Sequence, residues 1–177
     1  EGAMTETHSM LQRMKTLTTQ AANGTYTKTA RDNIQAEVDA LNKEITRIAS
    51  TTKFNGETPL SPVKKGQNLT FFIGATADAT NAMTVGQLTM TAAALTIAQI
   101  KVDTTTNAFK AMASVDAAIE KVSTYRAALG AAQNRLEHTV NNLKVTSENI
   151  TSAESRIRDT DMADEITAYT KNNILLQ

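Results

Sequence analysis

From the first residues onward, apolar side chains return at three- and four-residue steps: Ala3, Met4, Met10, Leu11, Met14, Leu17 and Ala21. That is the period of one face of an α-helix and predicts a helix over residues 1–22. Asn23-Gly24 ends it, because both residues tolerate a left-handed backbone, and the stretch Thr25 to Thr29 supplies hydroxyls that can cap a second helix. The second helix is predicted from about Ala30 to Thr52. Ile34, Val38, Leu41, Ile45 and Ile48 form its stripe, and Asp39 stands four residues before Lys43 on the wet side. Lys53-Phe54-Asn55-Gly56 stops it. A short loop between the two makes them antiparallel, and each stripe is too narrow to be covered by the other alone, so a third helix is required.

The pattern changes over residues 57–105. Pro59 and Pro62 open a loop, after which Leu69, Phe71, Ile73 and Ala75 alternate with Thr70, Phe72 and Gly74, the period of a strand. Ala77 to Asn81 reads as a turn and Met83 with Val85 as the start of a second strand, which together make a small β-hairpin. Residues 88–103 fit either a short helix or another strand.

The strongest periodicity comes next. Val115, Val122, Leu129, Leu136, Leu143, Ile150 and Ile157 recur every seven residues, flanked by Met112, Ile119 and Val140. At 1.5 Å per residue this helix is about 65 Å long from Val115 to Ile157. The seam is expected to be internal core covered by the two upstream helices, with the surrounding polar faces left for assembly. Gly130 interrupts good helix formers and is expected to permit close helix approach. Asp159-Thr160-Asp161 can cap a further helix from Met162, so a break is expected between Ile157 and Met162. The fold class is therefore mainly α: an elongated, rod-like antiparallel bundle of three long helices with a β-hairpin appendage. It divides into a helical hairpin at 1–56, a hairpin and loop segment at 57–105, the long helix at 106–158, and the start of a last helix at 159–177.

Charge narrows the partners. Lys plus Arg number 18 and Asp plus Glu number 18, so there is no net field to gather nucleic acid or an anionic membrane. Cysteine and tryptophan are absent, which removes disulfides, thiolate metal sites and a Cys nucleophile and leaves an aliphatic and methionine interior. The absence of cysteine also suits a protein exported unfolded or working outside the cell. No apolar run approaches the roughly 20 residues that span a bilayer. The chain is amphipathic from Glu1-Gly2-Ala3-Met4 without a basic leader, as expected of a sequence that carries no signal peptide and starts within a helix.

Candidate chemistry is sparse. His8 and His138 each stand on a helix without a His or carboxylate at the four-residue spacing of a zinc pair, and Glu137 beside His138 points another way. No phosphate-cradling loop, dinucleotide fingerprint or nucleophile elbow occurs. Lys64-Lys65-Gly66 lacks the aromatic partners of a nucleic-acid site. Arg156, Arg158, Asp159 and Asp161 read as a solvated hinge, and the sequons at Asn23, Asn68 and Asn149 are of a kind that a chain rich in Asn and Thr produces by chance. The expectation is a non-enzyme with no cofactor and no metal.

Longer motifs carry a resemblance. Glu1-Gly2-Ala3-Met4-Thr5-Glu6-Thr7-His8, Leu11-Gln12-Arg13-Met14-Lys15-Thr16-Leu17, Gln20-Ala21-Ala22-Asn23, Ile34-Gln35-Ala36-Glu37 and Phe54-Asn55-Gly56 resemble the N-terminal part of bacterial flagellin. Arg126-Ala127-Ala128-Leu129-Gly130-Ala131, Gln133-Asn134-Arg135-Leu136-Glu137-His138-Thr139, Asn141-Asn142-Leu143, Ala153-Glu154-Ser155-Arg156-Ile157-Arg158-Asp159 and Asp161-Met162-Ala163 resemble its C-terminal part. Asn68 to Ala75 is similar to the β segment of that family's D1 domain.

What this resemblance implies is a subunit exported to the bacterial flagellum, outside the cell. It would polymerise with other flagellin subunits and meet an export chaperone and a cap protein on the way. A hook–filament junction protein is the alternative. The resemblance also implies a surface for Toll-like receptor 5, carried here by Gln12, Arg13, Leu17, Gln20 and Glu37. Thr16 departs from the family pattern, standing where receptor-active relatives usually have Glu. Lys15 stands for a common Arg whose bidentate fork it cannot reproduce.

Overall fold

The computed structural model describes residues 1–61, 68–74, 81–86, 89–159 and 161–176, with the side chain of Leu69 left aside. The predicted turn at 77–81 therefore lies outside the described residues except for Asn81, and Pro62 and the Lys64-Lys65-Gly66 turn lie wholly outside them. Four helices are described: α1 Gly2–Ala22, α2 Lys28–Thr51, α3 Thr105–Arg158 and α4 Met162–Leu176. Strands β1 Leu69–Phe72 and β2 Ala82–Val85 pair antiparallel, with Phe71 opposite Met83. The chain forms two compact units, Glu1–Gln133 and Asn134–Gln177, and α3 begins in the first and ends in the second.

In the first unit α1 buries Met4, Thr7, Leu11, Met14, Leu17, Thr18 and Ala21. The two threonines are admitted because each hydroxyl donates to a carbonyl one turn back, Thr7 to Ala3 O and Thr18 to Lys15 O, both at 2.9 Å. Thr27 caps α2 by accepting from Ala30 N. Arg31 Nε donates to Ala21 O at 2.9 Å and its Nη2 to Asn23 O at 3.1 Å, which fastens the start of α2 to the open end of α1. With Arg31 near Ala21 and Glu37 near Arg13, sequence order runs oppositely in the two helices, so they are antiparallel.

The α2 stripe departs from expectation. Ile34, Val38 and Ile45 are buried as predicted, but Asn42 and Ala49 are buried where Leu41 and Ile48 were expected, and those two are only half-buried. The reason is the segment at 89–102, which is neither helix nor strand along its length, yet buries Met90, Ala92, Leu95, Ile97, Ile100 and Val102 against the helices. Its backbone is clasped by α2 side chains. Asn42 Nδ2 donates to Ile97 O at 2.9 Å, Gln35 Nε2 to Ile100 O at 3.2 Å, and Gln35 Oε1 accepts from Val102 N at 2.8 Å. Amides on the helix serve as partners for backbone groups of this irregular segment.

Phe54 to Glu57 makes a tight reversal in which both backbone hydrogen bonds form, at 2.8 and 3.0 Å, and Asn55 and Gly56 are left-handed at φ 52° and 85°. This explains why Asn-Gly follows the second helix.

The seven-residue seam of α3 divides. Val115 and Val122 are fully buried with Ala108, Ala111 and Ala118, and Leu129 packs on the edge of this cluster. Leu136 is half-buried, but Leu143 is 44% exposed, Ile150 63% and Ile157 87%. The expected continuous core therefore ends near Leu129. Among the described residues, the contacts of α1 with α3 run from Met112 to Arg126. Gly130 also differs from expectation, since a Cβ there would meet nothing within 4 Å.

Three substitutions test this account of α3. Val122→Ala should cost about 1.5–3 kcal/mol of unfolding free energy, whereas Ile157→Ala on the same seam should change it by less than about 0.5 kcal/mol. Gly130→Ala should stabilise the helix by up to about 1 kcal/mol. Urea unfolding followed by circular dichroism measures all three.

Candidate functional site

The side chains singled out by resemblance fall mostly on one exposed side of the α1–α2 pair. Met14, Leu17 and Ala21 of α1 and Ile34 and Val38 of α2 turn inward, and this phasing leaves Gln12, Arg13 and Gln20 exposed and Glu37 half-exposed. Arg13 Nε donates to Glu37 Oε1 at 2.7 Å across the two helices. That hydrogen bond, and then the carboxylate charge, hold the guanidinium above its ordinary pKa. Gln12 Nε2 lies 3.1 Å from His8 Nε2, one turn apart on α1.

Leu17 does not join this surface. It is 2% exposed and sits in the core with Met14 and Ala21, so its side chain offers nothing to an approaching partner in this arrangement. Its place on the helical stripe is the signal that could have shown this, since it is three residues from Met14 and four from Ala21.

Sequence reasoning missed the contacts that tie α1 to α3. Lys15 Nζ pairs with Asp116 Oδ1 at 2.8 Å, Thr19 Oγ1 meets Met112 Sδ at 3.3 Å, and Arg126 Nη2 reaches Glu1 Oε1 at 3.3 Å. Their order places α3 antiparallel to α1. No local pattern announces pairs so far apart in the chain. Lys15, which departs from the family pattern, is thus occupied by an ion pair, while Thr16 is exposed and its hydroxyl donates to Gln12 O at 3.2 Å.

The second unit presents a different surface. Val140, Leu143, Val145, Ile150 and Ile157 of α3 are exposed, and α4 buries none of its residues although it carries Met162, Ile166, Tyr169, Ile174, Leu175 and Leu176. Asp161 Oδ1 accepts from Ala163 N at 2.9 Å and so caps α4, as the sequence suggested. Arg158 pairs with Glu154 at 3.2 Å, an ion pair local to its own helix.

Among the described residues no three His, Asp or Glu side chains gather as a metal site would need, and His138 is exposed on its helix. No described helix is long and apolar enough to cross a membrane.

Comparison with known proteins agrees at both ends of the chain. Residues 1–65 match the family described as the bacterial flagellin N-terminal helical region, and residues 112–177 match the bacterial flagellin C-terminal helical region. The whole chain aligns at 44% identity with a flagellin of Bacillus subtilis strain 168, covering 68% of that protein. It aligns at 43% with a flagellar filament 33 kDa core protein of Treponema phagedenis, covering 66% of it. The chain thus spans about two thirds of the length of these relatives. Among solved structures, a flagellin of Bacillus cereus superposes with a TM-score of 0.66 at 30% identity, over 86% of each chain.

Proposed function

The chain belongs to the bacterial flagellin family, a family of structural filament subunits, and from that premise we propose how its surfaces serve the assembled flagellum. The exposed apolar stripe of the second unit is the assembly surface, and the folded first unit is the rigid body that each subunit contributes. One observation carries this reading: Leu143, Ile150 and Ile157 continue a seam that is core at Val115 and Val122, yet nothing within the described chain covers them. Exposed apolar residues in such regular spacing are costly unless another helix takes them up. Contacts between unlike patches of identical subunits do not close on themselves and so build an open helical polymer. Polar faces, which the sequence alone favoured for assembly, then set register rather than drive association.

Export to the flagellum as an unfolded chain fits the absence of cysteine, and an export chaperone and a cap protein are the partners such a route requires. No catalytic role is assigned.

The test uses the whole protein that contains this chain. Ile150→Asp with Ile157→Asp should abolish filaments in electron micrographs while the melting temperature of the first unit is unchanged, because both side chains lie outside its core. Filaments of ordinary length from the double variant would sink the reading. Short rings from the parent protein would favour a hook–filament junction role instead.

The face bearing Gln12, Arg13, Gln20 and Glu37 is proposed as the part that Toll-like receptor 5 meets. It is exposed and ordered in advance by the Arg13–Glu37 pair, which lowers the entropy lost on binding. Arg13→Ala should weaken signalling in a receptor reporter assay by about tenfold or more with helicity unchanged. Equal potency of variant and parent would refute it.

A further inference from the structure

A groove of about 330 Å³ lies between residues 96–101 and the first turns of α3. Its side chains are Thr96, Gln99, Lys101, Asn107, Lys110 and Ser114, over a floor made by Ile100 and Ala111. None of them belongs to the receptor-facing surface or to the exposed seam.

The groove has a definite donor and acceptor pattern. Thr96 Oγ1 donates to Leu95 O and Ser114 Oγ to Lys110 O, so both hydroxyls spend their protons on the backbone and present lone pairs. Lys101 and Lys110 are exposed and make no close ion pair among the described residues, although the charge of Lys101 is drawn toward Asp103. The N-terminus of α3 is capped from within the chain, Thr104 Oγ1 accepting from Asn107 N at 3.2 Å, so the lysines are the positive charge the groove offers. Asp103 opposes them from beside the groove. Its carboxylate accepts from Asn107 Nδ2 at 2.8 Å, and that hydrogen bond holds its pKa below the usual carboxylate range.

The ammonium groups call for an anion, and the hydroxyl oxygens call for a ligand that also donates. A lone carboxylate meets only the first demand and a neutral sugar only the second. Among the described residues no aromatic side chain lines the groove, so an uncharged sugar ring has nothing there to stack on. The volume is at the small end of ligand sites, enough for one hydroxylated ring.

We propose that this groove binds an acidic sugar, with the carboxylate on Lys101 and Lys110 and ring hydroxyls donating to Thr96 and Ser114. The site is shallow and carries one opposing charge, so binding is weak.

Amide chemical-shift titration of the 177-residue chain tests it with four ligands: sodium glucuronate, a hyaluronan tetrasaccharide, glucose and sodium acetate. Glucuronate should give saturable shifts confined to residues 96–101 and 107–114, with a dissociation constant of about 1 mM and at least about tenfold tighter than glucose or acetate. If the tetrasaccharide matches glucuronate, the source is a terminal residue of a polymer; if it binds less well, the source is the free sugar acid. K101Q with K110Q should weaken binding by about tenfold or more. Both lysines are exposed, so the melting temperature should hold, and K144Q serves as a charge control that leaves binding unchanged. Absence of saturation, acetate binding as well as glucuronate (an adventitious ion only), glucose binding as well as glucuronate, or full binding by the double lysine variant would each overturn the proposal.

Discussion

The first unit depends on one line of burial, in which Leu11, Met14 and Leu17 of α1 meet Val38 and Ile45 of α2 and Val115 and Val122 of α3. With no tryptophan and only four phenylalanines in the chain, three of those described being well exposed and Phe71 partly so, the interior is made of slender side chains. Slender side chains fill a narrow seam between helices and not a wide one. Helices α1 and α2 therefore run side by side, and the start of α3 is drawn against them.

Such a seam leaves a flank of α2 uncovered, and the segment at 89–102 closes it. Met90, Leu95, Ile97 and Val102 supply the apolar cover. A segment that turns repeatedly leaves backbone groups unpaired, and these would be expensive to bury without partners. Gln35 and Asn42 answer that cost by holding Ile97, Ile100 and Val102 through side-chain amides. A polar residue in the α2 stripe is thus the consequence of covering a helix with irregular chain. The same arrangement leaves the polar groove beside the start of α3.

The long helix shows how one periodicity serves two environments. Its seven-residue repeat has the same chemistry at Val122 and at Ile157, yet Val122 is buried and Ile157 is exposed.

Local signals were sufficient for the helices. The three-and-four spacing of α1 and α2, the helix stops and the Asp161 cap each act within one or two turns and appear where the residues put them, although α1 ends through an extended Asn23 at φ −73° and not through a left-handed backbone. The paired strands were legible for the same reason, through alternation at Phe71 and Met83. Gln12, Arg13, Gln20 and Glu37 were singled out by the family resemblance alone, and in the structure they lie outside the core. Two features were decided only in three dimensions. Asn42 replaces Leu41 because an irregular segment needs its amide, and the seam is core at Val115 and Val122 but exposed at Leu143, Ile150 and Ile157. Periodicity states which residues share a face of a helix. What covers that face depends on chain brought from far away, and no local pattern encodes it.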